Sequence, residues 1–172
     1  MPKNLIKNPC GDEGLKYWED VQNGGDGWRV EDLPGDTLQN FPFHGKYFAT
    51  SFGLCSKSQV IDLLKEGYTK DTLDAQPHIV VSDWHAARTD CGCSYDLSVQ
   101  LLSDKREVIG EFNIQYKTIP STDGSWRQVS HTFWKYGPGV RFIKFTHSGK
   151  DTRDWKGWYG VRLTNSSVTI EA

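Results

Sequence analysis

Ser94-Tyr95-Asp96-Leu97-Ser98-Val99-Gln100-Leu101 alternates polar and apolar residues from end to end. Successive side chains on a strand point to opposite faces, so this stretch reads as a strand with one buried and one wet face. The pattern recurs along the chain. Lys46 to Phe52, Ile79 to Trp84, Val108 to Tyr116, Trp126 to Trp134, Val140 to His147 and Trp158 to Ile170 roughly follow it. In Val140-Arg141-Phe142-Ile143-Lys144-Phe145 the polar partners are basic, which suits a strand with one solvated face. Turn chemistry separates these runs: Asn23-Gly24-Gly25-Asp26-Gly27, Leu33-Pro34-Gly35-Asp36, Ser121-Thr122-Asp123-Gly124-Ser125 and Tyr136-Gly137-Pro138-Gly139. Short strands about ten residues apart predict an all-β antiparallel sandwich. One segment departs: Val60 to Leu73 reads as a strand running into a short helix near Tyr68 to Asp74. No internal repeat, low-complexity tract or linker interrupts the chain, so residues 1–172 read as a single domain.

Composition narrows the function. The 20 Lys and Arg nearly balance the 22 Asp and Glu, and no long basic run exists, which argues against nucleic acid as a partner. No apolar run approaches the ~18 residues of a membrane span. Met1-Pro2-Lys3-Asn4-Leu5-Ile6-Lys7 lacks the apolar core of a signal peptide. The four cysteines, at 10, 55, 91 and 93, form no disulfide framework, which predicts reduced thiols and a cytoplasmic setting. A zinc site would need Cys91, Cys93, His85 and a fourth ligand, but no second paired spacing occurs. Cys91 and Cys93 therefore read as small hydrophobes on one strand face, with no metal and no cofactor implied.

Catalysis finds no constellation. Asp83, Asp90, Asp151 and Asp154 are candidate carboxylates for glycoside hydrolysis, yet any chain with 22 acidic residues offers such pairs. His78, His85, His131 and His147 are scattered, and no nucleophile elbow occurs. Gly24-Gly25-Asp26-Gly27 is not followed by Lys-Ser or Lys-Thr, so it reads as a turn and not a phosphate loop. Asn165-Ser166-Ser167 has the form of a glycosylation triplet but reads as polar side chains on a strand. The reading is a non-enzymatic binding module. Its most informative loop is Gly149-Lys150-Asp151-Thr152-Arg153-Asp154-Trp155-Lys156-Gly157-Trp158-Tyr159-Gly160. Rings at a polar loop tip call for a partner, because apolar surface gains free energy on leaving water. On an extended segment Trp155 and Trp158 face opposite ways, which predicts Trp155 exposed and Trp158 in the core. Trp155 is then either a ligand face or a cap on the sandwich end. Lys156 can lay its aliphatic stem beside the ring.

Several ordered blocks carry a family resemblance. They include Asn8-Pro9-Cys10-Gly11, Asn23-Gly24-Gly25-Asp26-Gly27-Trp28, Lys46-Tyr47-Phe48-Ala49-Thr50-Ser51-Phe52 and Gln59-Val60-Ile61-Asp62-Leu63. Val81-Ser82-Asp83-Trp84, Arg88-Thr89-Asp90-Cys91-Gly92-Cys93, Gly137-Pro138-Gly139-Val140-Arg141-Phe142 and Trp155-Lys156-Gly157-Trp158-Tyr159-Gly160 continue the set, which runs on to Val168. Together they resemble the F-box-associated (FBA) domain of the sugar-recognising F-box proteins. Leu73-Asp74-Ala75-Gln76-Pro77 is most like the fish members.

The resemblance implies a ten-stranded, jelly-roll-like β-sandwich of galactose-binding-domain type with one short helix. It implies partners too: N-glycans or glycoproteins, captured by their inner chitobiose in glycoprotein quality control. A ubiquitin-ligase adaptor is implied only where an F-box lies upstream, and no leucine- and proline-rich helical stretch precedes Asn4. By position the sugar site comprises Phe52 as a pocket wall, Asp90 as an acceptor, Trp155 as the stacking ring and Lys156 as a lining stem. Asp154 departs from the pattern, standing where the sugar readers carry a tyrosine. Loss of that ring removes about 1 kcal/mol or more of contact. Two readings follow: a glycan-binding module in which Asp154 bonds sugar hydroxyls, or a protein-interaction module that has lost chitobiose.

Overall fold

The computed structural model describes residues 3–33 and 45–171. Ten strands form two antiparallel five-stranded sheets packed face to face. In chain order they are β1 (Glu19–Asn23), β2 (Arg29–Asp32), β3 (Lys46–Ala49), β4 (Cys55–Asp62), β5 (His78–Ala86), β6 (Cys93–Leu102), β7 (Val108–Ile119), β8 (Arg127–Phe133), β9 (Phe142–Asp151) and β10 (Arg162–Glu171). One sheet has the order β1-β4-β9-β6-β7 and the other β2-β3-β10-β5-β8. Only β2–β3 and β6–β7 are consecutive neighbours within a sheet; every other connection crosses between the layers.

β6 shows how the pattern becomes a wall. Tyr95, Leu97, Val99 and Leu101 are buried, while Ser94, Asp96, Ser98 and Gln100 line the outer face. Each such aliphatic side chain contributes roughly 1.5–3 kcal/mol by leaving water. They meet Ile143 and Phe145 of β9 and, from the opposite sheet, Ile79, Val81, Leu163 and Val168. The helix α1 (Lys70–Asp74) is capped by Thr69, whose side chain accepts from the Thr72 N–H, and it buries Leu73.

β1 and β2 were not expected from the sequence. Both are short, polar edge strands without alternation, and they flank the Asn23–Gly27 turn, which carries the chain from one sheet to the other. β10 begins at Arg162, so Trp158 to Val161 precede the strand that the pattern assigned to them. Cys93 opens β6, but Cys91 lies in the loop before it, so the two do not share a strand face as expected. Both are buried, and burial pushes the Cys93 thiol up to about 12. All four cysteines are free. The turn expected at 34–36 lies outside the described residues.

The inward face of β4 carries polar residues, Lys57 and Gln59, between Cys55 and Ile61. Lys57 is fully buried, and its Nζ lies 2.6 Å from Nε2 of His147, its cross-strand neighbour on β9. His147 Nδ1 lies 2.8 Å from Oδ2 of Asp83, which enters from β5 in the other sheet. Tyr95 OH donates to the same oxygen at 2.7 Å, and Ser166 Oγ donates to Asp83 Oδ1 at 2.7 Å. Ser166, read from the sequence as a polar side chain on a strand, thus belongs to this knot. Trp18 stacks on His147, and Lys57 Nζ sits 3.1 Å from the Trp18 ring centroid. Burial lowers the pKa of both Lys57 and His147. Two basic nitrogens this close share one proton, since one must accept the bond that the other donates. Burial alone would raise Asp83; the charge and hydrogen bonds of His147, with bonds from Ser166 and Tyr95, outweigh it and hold the carboxyl low.

Candidate functional site

β1, β3, β5 and β9 all end at the same end of the sandwich, as the pairings Arg162↔Ala49, Arg162↔Ala86, Cys93↔Asp151 and Asn23↔Cys55 require. The loops that follow them, 24–28, 50–54, 87–92 and 152–161, therefore converge there. The first two fit only because of glycine. A Cβ on Gly24 or Gly53 would come within 2.4 Å of the other loop's backbone. A Cβ on Gly25 would meet the Phe52 ring at 2.9 Å.

The Trp155 loop is anchored through its backbone. At its base Asp151 N donates to Ser51 O at 3.0 Å and Gly160 N to Thr50 O at 3.2 Å. The buried Asp151 carboxylate accepts from the backbone N–H groups of Arg153 (2.8 Å) and Asp154 (2.6 Å). At the tip Gly157 N donates to Asp26 Oδ2 at 2.7 Å, and Ser51 Oγ donates to Gly157 O at 2.6 Å. Three of these partners, Thr50, Ser51 and Asp26, come from the neighbouring loops, so the loop's shape depends on residues distant in sequence.

The side chains divide accordingly. Trp158 Nε1 donates to Gly27 O, and the ring packs with Tyr47, Ala49, Ala86 and Trp126 under the Arg29 guanidinium, 4.0 Å from its centroid. Trp155 remains 39% exposed. The expected division is present, but by a bent loop and not by an extended segment: Asp154 and Gly157 both have positive φ, 54° and 102°. Tyr159 meets Trp155 edge-on, with centroids 5.3 Å apart. Arg88 lies over Tyr159 at 4.6 Å and grips Asp90 with two bonds, Nε to Oδ1 at 2.8 Å and Nη2 to Oδ2 at 3.1 Å. That bidentate pair holds the Asp90 carboxyl below its ordinary range.

The structure thus links Asp90 to Trp155 through two residues the sequence reading passed over, Arg88 and Tyr159. The Arg-x-Asp spacing and the second ring in Trp-x-x-x-Tyr were the available signals. Phe52 is half-buried on the adjoining junction, beside the Ser51 that holds Gly157. Lys156 is exposed and forms no ion pair among the described residues. Asp154 is exposed, with Oδ1 3.4 Å from Lys150 Nζ. The opposite flank of Trp155 carries Arg153, 5.4 Å from the ring centroid. The arrangement presents an aromatic surface, a fixed carboxylate and several cations to solvent. Among the described residues no group of three or more His, Cys, Asp or Glu side chains is placed to hold a metal ion.

The sandwich resembles TmCBM61, solved in complex with beta-1,4-galactotriose, at a TM-score of 0.62 and 16% identity, over 98% of this chain and 99% of that one. The Family 16 Carbohydrate Binding Module-2 follows at 0.50 and 16%, over 96% and 99%. These likenesses concern the fold alone. Among curated proteins, F-box only protein 2 of Bos taurus is 54% identical over 98% of this chain and 59% of its own length. F-box only protein 6 of Rattus norvegicus is 52% identical over 99% and 61%. F-box only protein 44 of Homo sapiens is 52% identical over 99% and 68%. The chain thus spans about three-fifths of the length of the first two relatives. The family model for the F-box associated region matches residues 1–170. The chain belongs to this F-box-associated family, whose domain is a non-catalytic module.

Proposed function

We propose that this chain is a glycan- or glycoprotein-binding module whose ligand site is the Trp155 loop with its neighbours. Trp155 offers the apolar face for a sugar ring, Asp90 accepts from sugar hydroxyl or amide groups, Phe52 walls the site and the Lys156 stem covers its rim. The observation that carries this reading is the chain of contacts from Asp90 through Arg88 and Tyr159 to Trp155. It braces an exposed ring beside an oriented acceptor before any ligand arrives, which reduces the ordering cost of binding. In a protein that carries an F-box beside this domain, the module would present glycoproteins to a ubiquitin ligase through an adaptor. The four free thiols fit work in the cytoplasm. NMR titration with chitobiose and high-mannose glycans is the direct test, and a Trp155 indole signal that stays still at millimolar sugar overturns the reading.

Asp154 favours a second reading, a protein-interaction module that no longer binds chitobiose. Its φ of 54° suits Asp far better than a bulky side chain. Asp154→Tyr therefore trades about 1 kcal/mol of backbone strain for an aromatic wall. The expected outcome is severalfold tighter chitobiose binding with a slightly lower Tm; unchanged affinity removes this position from the site. Pull-down before and after deglycosylation separates the two readings, because partners lost on deglycosylation refute the second.

A further inference from the structure

A different part of the molecule carries a separate opportunity. β7 and β8 are edge strands of their respective sheets, and the stacking of Phe112 on His131 brings them together. Between them lies a cavity of about 610 Å³, lined by residues of both strands and by His85 of β5. This volume falls within the ~300–1,000 Å³ of small-ligand sites.

The strand pattern explains its shape. Tyr116 is the cross-strand neighbour of Tyr95, and Arg127 that of His85, so all four lean toward the space between the sheets. His85, 4% exposed, stacks on Tyr95 at 4.4 Å and forms the floor, and its Nδ1 has no protein partner. Burial keeps this imidazole neutral near pH 7. Further along the same edge Phe112 stacks face to face on His131 at 4.2 Å, which joins β7 to β8 and closes the slot below. Above, the 120–126 crossover closes it, held by Thr122 N–H donating to Arg88 O at 3.1 Å.

Its chemistry is one-sided. Lys117 and Arg127 line the slot, and no acidic side chain does. Neither cation forms an ion pair among the described residues. Asp123 feels the Arg127 charge, but its Oδ1 accepts from Ser125 N–H and it stands outside the lining. The Tyr116 ring is 42% exposed. An apolar ring face in a slot lined by two cations that form no ion pair suits a ligand that is itself a ring bearing a carboxylate. The guanidinium fork takes a carboxylate with two parallel bonds, and the tyrosine takes a C–H face.

We propose that this slot is a second binding site, distinct from the Trp155 loop, for an acidic monosaccharide or the acidic end of an oligosaccharide. Titration of the ¹⁵N-labelled protein with D-glucuronate tests it, with D-glucose and inorganic phosphate in parallel. Glucuronate is expected to shift the Tyr116, Lys117 and Arg127 amide signals at millimolar concentration, glucose to leave them still, and phosphate to act several-fold more weakly. Arg127→Gln should weaken glucuronate binding about tenfold through loss of the bidentate pair. Tyr116→Leu should weaken it several-fold. Trp155→Ala should leave it unchanged, which separates this site from the proposed glycan loop. Arg127 and Tyr116 lie at the solvent-exposed edge, and an unchanged Tm verifies that each variant folds; Lys117→Gln replaces any that does not. Absent glucuronate shifts, an equal response to glucose or phosphate, or full retention of binding in the cation variants would each overturn the proposal.

Discussion

The Lys57–His147–Asp83 knot and the Trp155 loop both use polar chemistry, and they use it in opposite ways. In the knot the side chains are buried and bonded to one another, and they tie three strands of one sheet to two of the other. In the loop the backbone does the bonding, to Asp151, Asp26 and the neighbouring loop, and the side chains of Asp154, Trp155 and Lys156 are left facing water. The contrast separates what holds the sheets together from what is proposed to meet a ligand. A buried ionic cluster depends on each of its members, because removing one leaves the others charged and unpaired. A backbone-anchored loop tolerates exchange of its exposed side chains, since none of them holds its shape.

The largest expected effect breaks the knot. Asp83→Ala strands the shared Lys57–His147 proton without a counter-charge and should cost about 3–5 kcal/mol. Urea denaturation measures this, and a loss below about 1 kcal/mol would mean that the knot does not hold the sheets together.

The next effect is of pH. The folded-state pKa of His147 lies below its ordinary 6.5, as do those of His85 and His131. The unfolded chain therefore binds protons first as pH falls through about 6.5, so stability declines from there until the folded-state values are reached. Thermal melts between pH 7.5 and 5 should show this fall, and His147→Gln should flatten part of it even from a lower starting Tm. A slope unchanged in that variant would remove His147 from the account.

The smallest stability effect belongs to the loop. Trp155→Ala should change stability by less than about 0.5 kcal/mol. The same change should weaken glycan binding by about tenfold or more if the ring is the stacking surface. A large loss of Tm would instead make Trp155 the cap of the sandwich end.

Legibility followed the same division. β6 is readable from its residues because every second one is apolar and one face meets water. The short helix is readable because Val60 to Leu73 breaks the strand pattern and mixes helix formers with a strand-like start. β1 and β2 are not, since Glu19–Asn23 and Arg29–Asp32 are edge strands with little burial and carry no hydrophobic period. The candidate site was partly legible. Trp155 and Lys156 stand out as a ring and a cation in a polar loop and Asp90 is singled out only by the family resemblance, whereas Arg88 and Tyr159 meet across 71 positions of chain (159 − 88). Lys57 offered no signal at all: a lysine in a strand is ordinarily solvated, and only the opposing His147 and Asp83 make its burial tolerable.

By itself the sequence determined which residues alternate, where glycine must turn the chain, and that a loop near the end carries rings in polar company. Those are local properties, set by two-residue periodicity and by the φ values glycine permits. Only the tertiary structure decided how the Trp155 loop bends, which carboxylate Arg88 grips, which lysine is buried, and that two sheet edges border a slot lined by Lys117 and Arg127. Each of these depends on where another sheet or loop arrives, and no local pattern records that.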